Sequence, residues 1–264
     1  FSMGRIIGPA LAGILLLISY TAPFYLFALG ALFVIFLITK QKSPPLSNSK
    51  KDFKKISLFD KRVWPFLIVS ASFGVCNAAL VQTSSFYFQD VIDPNSTNFI
   101  ALASVGFMLS ALGILNGQLL IADRLQTSPG SLIRLGIFFT FFSLLGIANS
   151  TALVHIYISL FFYGLGGGML GPGISASLSL SVGRENQGSA SGFLGMVIPV
   201  GHVISPIISM PLYTINPSYP YLLGSFMMLF CFIFVLSNQR HKWIRKKNYR
   251  KDYKTYIEEP SDLP

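Results

Sequence analysis

Charge is what this sequence has least of. Only 11% of its 264 residues are charged, against about 25% in an ordinary soluble domain. That excludes a water-solvated globule. Cysteine is scarce too: Cys76 and Cys231 both sit in apolar runs, which rules out a disulfide framework and a paired-thiol metal site. No zinc or haem ligand pattern, nucleophile elbow or phosphate loop is present, so neither a metal nor a cofactor is expected, and the chain does not read as an enzyme. No signal peptide's charged n-region or cleavage site precedes the first apolar stretch, which opens on Phe1. With 24 Phe and 11 Tyr, a disordered coil is excluded as well.

What is there is a series of apolar runs. A membrane-crossing helix needs roughly 20 mostly apolar residues. Such runs cover about 1–19, 23–39, 64–87, 99–121, 131–148, 152–173, 189–213 and 219–236, eight in all. Runs such as 31–38 (ALFVIFLI) lack the period-two alternation of a membrane barrel. Backbone groups in lipid must be satisfied within each segment, so the fold class is an all-α polytopic membrane protein.

The few charges then sort by loop. Nineteen of the twenty Lys and Arg lie in the 40–63 segment, in the tail after 236, or at the turns marked by Arg124, Arg134 and Arg184. The alternate loops (20–22, 88–98, 149–151, 214–218) hold none. Basic residues concentrate on the cytoplasmic side, which orients 40–63 and the C-terminus inward. The formal net charge of +10 is therefore topology, and no nucleic-acid partner is implied. The lipid bilayer is the expected partner, with a plasma or bacterial inner membrane location.

An internal repeat follows. Gly4-Arg5-Ile6-Ile7-Gly8-Pro9 aligns with Gly201-His202-Val203-Ile204-Ser205-Pro206 at an offset of 197. An aromatic-led span follows each. Spans one and two thus correspond to spans seven and eight, running in the same direction, which is the parallel repeat of a transporter built from two six-helix halves. The arithmetic predicts a parent chain of about 400 residues, with four further helices before this stretch. On this reading 1–39 closes the N-terminal half, 40–63 is a basic cytoplasmic linker, 64–236 is the C-terminal half and 237–264 a basic cytoplasmic tail.

Gly4, Gly8, Pro9 and Gly13 carry a family resemblance. The run from Gly4 to Gly13 resembles the fifth-helix antiporter motif (G-x-x-x-G-P-x-x-G-G) of the major facilitator superfamily, departing only at Ala12. The Arg184-Glu-Asn-Gln-Gly188-Ser-Ala-Ser-Gly192 entry into span seven is similar to the turn between helices ten and eleven of bacterial drug:proton antiporters. The resemblance implies a major facilitator fold, with helices five to twelve of an expected twelve and two six-helix pseudo-repeats. It further implies export of small amphipathic, drug-like compounds in exchange for protons, by a monomer. The alternatives are a dedicated exporter of one metabolite, such as a siderophore or sugar, and, more remotely, a non-transporting receptor or scaffold. Asp123 and Arg124 match what is left of the family's cytoplasmic loop motif and stand as the candidate cytoplasmic gate; the rest of that motif is missing.

Gly4 and Gly8, four apart, share a helix face and admit a close neighbour, while Pro9 bends the helix. The resemblance adds a sealing role for that bend. Arg5 is the one charged residue inside a span, at a cost of at least ~2.5 kcal/mol near mid-membrane. It reads as a cavity residue opposite His202, with snorkelling to the cytoplasmic interface as the alternative. Asp90 and His202 are coupling candidates, because proton coupling needs a group that changes protonation as access alternates. A structural hydrogen bond is the plainer role for a histidine there. Asn77, Gln82, Asn116 and Gln118 are uncharged polar groups in apolar spans and should face the interior, lining a substrate path or bonding between helices. Phe86, Tyr87 and Phe88 offer aromatic contacts or an interfacial anchor. The glycine-rich 164–173 stretch (GLGGGMLGPG) reads as a flexible or closely packed helix.

Overall fold

The computed structural model describes residues 21–40, 56–94, 98–119, 127–183 and 186–237, with the single residues 11, 15 and 19. All regular structure among them is helical: α1 (Ala22–Lys40), α2 (Trp64–Tyr87) with a π-helical turn (Phe88–Ile92), α3 (Phe99–Leu115), α4 (Pro129–Ala148), α5 (Leu153–Ser181), α6 (Gln187–Ile215) and α7 (Tyr219–Ser237). Among the described residues, seven helices are long and apolar enough to cross a membrane. They coincide with the second to eighth expected spans. The first, about 1–19, lies outside the described residues but for the three single ones.

Prolines and small polar residues set several starts. Pro65 and Pro129 occupy the first turns of α2 and α4, where a missing N–H costs nothing. Ser128 caps α4 by accepting from the Ser131 amide. Before α2, the Asp60 carboxylate accepts from the Arg62 amide at 2.9 Å and from its guanidinium at 2.9 Å. That pair holds the Asp60 carboxyl below its ordinary range. The largest departure from the expected boundaries is α5, which runs on past 173 to Ser181 with Pro172 inside it. Proline there forfeits one backbone bond but the helix survives, as membrane helices do when packed neighbours hold them.

The described chain forms two compact units, residues 1–53 and 54–264. In the first, α1 is apolar on every side, and Pro23 alone of its residues is buried. A helix that is hydrophobic all round demands an apolar environment on all faces. In the second unit, α2 packs on α6 and α7, α4 on α7 and α5, and α5 on α3. The order in space is therefore α6–α2–α7–α4–α5–α3. Its core is filled by Ile137, Leu144, Leu160, Met169, Leu170, Leu178 and Met228, each at most 1% exposed.

Glycine makes that packing possible. Lipid tails are as apolar as leucine, so helices in a bilayer associate by close fit rather than by hydrophobic burial. A methyl group on Gly164 of α5 would collide with the Ser110 carbonyl of α3, and one on Gly168 with that of Ile114. Across α4, a methyl on Gly136 would lie 2.9 Å from the Gly166 carbonyl oxygen. On the third side, Gly167 faces the Phe73 ring of α2, its added methyl 3.0 Å from the ring tip. The glycine-rich stretch is a packing hub serving three neighbours.

Candidate functional site

The bundle leaves one helix largely uncovered. On α6 the buried positions include Gly201, Ser205 and Ser209, a narrow stripe at intervals of four that faces α2. A methyl on Gly201 would stand 2.8 Å from the backbone of Gly74 and Val75, and the Ser205 hydroxyl donates to the Val75 carbonyl at 3.2 Å. This is a backbone-to-backbone crossing. Much of the rest of α6, including Met196, Val200, Val203, Ile207 and Met210, is exposed. Ile208 and Ser209 border α7 beside Leu223 and Met227. His202 and Tyr213, eleven residues apart, lie on one flank of α6 at 3.6 residues per turn.

That flank meets the end of α2. The Asp93 amide donates to the Phe88 carbonyl five residues back at 3.0 Å, so the helix widens into a π turn. Asp90 sits within it, exposed. The Tyr213 hydroxyl donates to its Oδ2 at 2.9 Å, and the Phe86 and Tyr213 rings are 6.3 Å apart at 55°. Behind them, Tyr87 is fully buried, donates to the Ser150 carbonyl at 3.1 Å, and meets the Tyr221 ring edge-on at 5.1 Å. The Thr83 and Tyr221 hydroxyls are hydrogen-bonded at 2.9 Å. A rigid aromatic girdle thus backs an exposed carboxylate.

The other candidates are not gathered there. Asn116 donates to the Leu112 carbonyl of its own helix at 2.9 Å, and His202 Nδ1 lies 3.1 Å from its own Ile198 carbonyl. Both are satisfied locally, with no bond to a second helix among the described residues. Asn77 is half-buried on α2, and Gln118 half-buried in the widened end of α3. The Gln82 side-chain oxygen is buried without a hydrogen-bond partner among the described residues. Gly4, Arg5, Gly8, Pro9, Gly13, Asp123 and Arg124 lie outside the described residues. No group of three metal-ligating side chains occurs among the described ones. Sequence reasoning missed Tyr213, Thr83 and Tyr221, since each is an ordinary residue of an apolar run until its distant partner is known.

Helix content, spacing and the small-residue crossings fit a known architecture, and a family comparison decides it. The model of the Major Facilitator Superfamily matches residues 1–192 and 120–259. The chain belongs to the Major Facilitator Superfamily. It is an integral, multi-pass membrane protein of a transporter family, not an enzyme. It is also similar to Multidrug resistance protein 1 of Bacillus subtilis (strain 168), with 24% identity over 233 residues, 83% of this chain and 57% of that protein. The chain therefore spans less than two thirds of that relative's length. The fragment of the superfamily fold described here is all-helical, without strands among the described residues.

Proposed function

We propose that the intact protein is a secondary active exporter of small amphipathic, drug-like compounds, exchanging them for protons by alternating access. The observation that carries this reading is the exposed flank of α6 and the π end of α2. There the Asp90 carboxylate, held by Tyr213, stands beside aromatic rings in a mostly apolar surface. Few polar groups among many apolar ones suit a loosely specified, partly hydrophobic substrate. Superfamily membership and the name of the Bacillus relative support the same reading. In this reading 1–39 ends the first six-helix half, 40–63 links the halves, 64–236 is the second half, and 237–264 is a tail. Segment 40–63 and the tail are cytoplasmic, the membrane is the plasma or bacterial inner membrane, and the unit is a monomer.

Energised cells expressing the intact protein should expel ethidium faster than control cells, and a protonophore should abolish the difference. Expulsion that persists after the proton gradient collapses would overturn proton exchange. A protein that ignores a panel of unrelated amphipathic dyes would instead be a dedicated single-substrate exporter.

A further inference from the structure

We propose that Phe86, Asp90 and Tyr213 form a binding subsite for organic cations at the outer mouth of the C-terminal half; the proposal rests on the transport reading and orientation above. The helix end itself does not favour a carboxylate at position 90. It lies at the C-terminal end of a helix, where the helix dipole disfavours negative charge. Among the described residues it forms no ion pair, and the 88–98, 149–151 and 214–218 loops hold neither Lys nor Arg. Among the described residues the ion pair is Asp60–Arg62, at the opposite end of the same helix and roughly 40 Å away at 1.5 Å per residue. Asp90 is nonetheless held in place. Tyr213 donates to Oδ2 at 2.9 Å, which fixes the carboxylate while Oδ1 keeps its acceptor capacity.

The surroundings suit a cation with an apolar body. Phe86 is 45% exposed and packs against the Tyr213 ring, so two aromatic surfaces adjoin the carboxylate. Ring faces attract a poorly hydrated cation, and the charge adds a longer-range pull. A small, strongly hydrated metal ion would gain little, because no group of three metal-ligating side chains occurs among the described residues. The favoured occupant is a monovalent organic cation whose hydrocarbon or aromatic groups lie on the rings. Because the π turn occupies the outer end, such a subsite would hold the cation at the point of release.

Binding of radiolabelled tetraphenylphosphonium to the intact protein in nanodiscs tests this. We expect saturable binding that Asp90→Asn weakens about tenfold, the scale of one partly screened charge at contact. Asp93→Asn removes the same charge three residues on and should stay within twofold of wild type. Phe86→Ala should weaken binding several-fold. Absence of wild-type binding, an unchanged affinity in Asp90→Asn, or equal losses in Asp90→Asn and Asp93→Asn would overturn the subsite. Should Asp90→Asn fail to purify as a single species, unchanged binding by Phe86→Ala overturns it instead. Dye export is scored separately: binding through Asp90 without export refutes the exporter and keeps the subsite, and export with Asp90-independent binding does the reverse.

Discussion

At the scale of single residues, the buried polar atoms of α2 differ in how they are satisfied. Thr83 donates to the Ala79 carbonyl at 2.8 Å and pairs with the Tyr221 hydroxyl, which donates to it, at 2.9 Å, wholly out of contact with solvent. Gln82, its neighbour, buries a carbonyl oxygen that has no partner among the described residues. An unmade buried hydrogen bond costs roughly 1–3 kcal/mol, whereas a made one contributes about 1 kcal/mol net. Thr83→Val keeps the shape and strands the Tyr221 hydroxyl, so the melting midpoint of the purified protein should fall by several degrees. Gln82→Met keeps the length and removes the stranded oxygen, so the midpoint should rise. Dye export separates structure from path at the same position. If Gln82 lines the substrate route, Gln82→Met gains stability and loses export; unchanged export would leave Gln82 a purely structural liability.

At the scale of elements, the glycines of α5 offer a matched comparison. Gly164 lies against the Ser110 carbonyl with no room for a methyl group, whereas an added methyl on Gly171 meets nothing within 4 Å. Gly164→Ala must push α3 away and should abolish the monodisperse size-exclusion peak. Gly171→Ala gains up to about 1 kcal/mol of helix propensity and should be neutral or stabilising. Equal behaviour of the two would refute the close α3–α5 crossing. The same helix marks what could be read from sequence. Its existence and start were legible, because membrane spans follow from local runs of apolar residues. Its end was not, because Pro172 ordinarily stops a helix and here the packed neighbours carry it through. The function of its glycines needed the identity of the helices on each side, which no local pattern encodes. For the site, Asp90 stood out as an acid at the end of an apolar span. Tyr213, 123 positions away, had no feature to connect it until the fold set α6 beside α2.

For the molecule as a whole, orientation governs every functional statement, since the proposed subsite is an outer mouth only if the basic segments face inward. The expectation comes from charge alone: nineteen of twenty Lys and Arg fall on one side of the alternating loops. Cysteine labelling can test it without removing the native thiols, because Cys76 is 2% exposed and Cys231 fully buried. Burial shields a thiol from reagents, so both should be inert to a membrane-impermeant maleimide. Ser47→Cys, in the basic segment, should react only after the cells are opened. Asn95→Cys, between Ile92 and Phe99 in the sequence, should react in intact cells. Reaction of both from one side would mean an even number of crossings between them and break the correspondence between α2 and a full membrane span. Reversed labelling would keep the spans but turn the molecule over. Asp90 would then face the cytoplasm, where a cation subsite would serve capture rather than release.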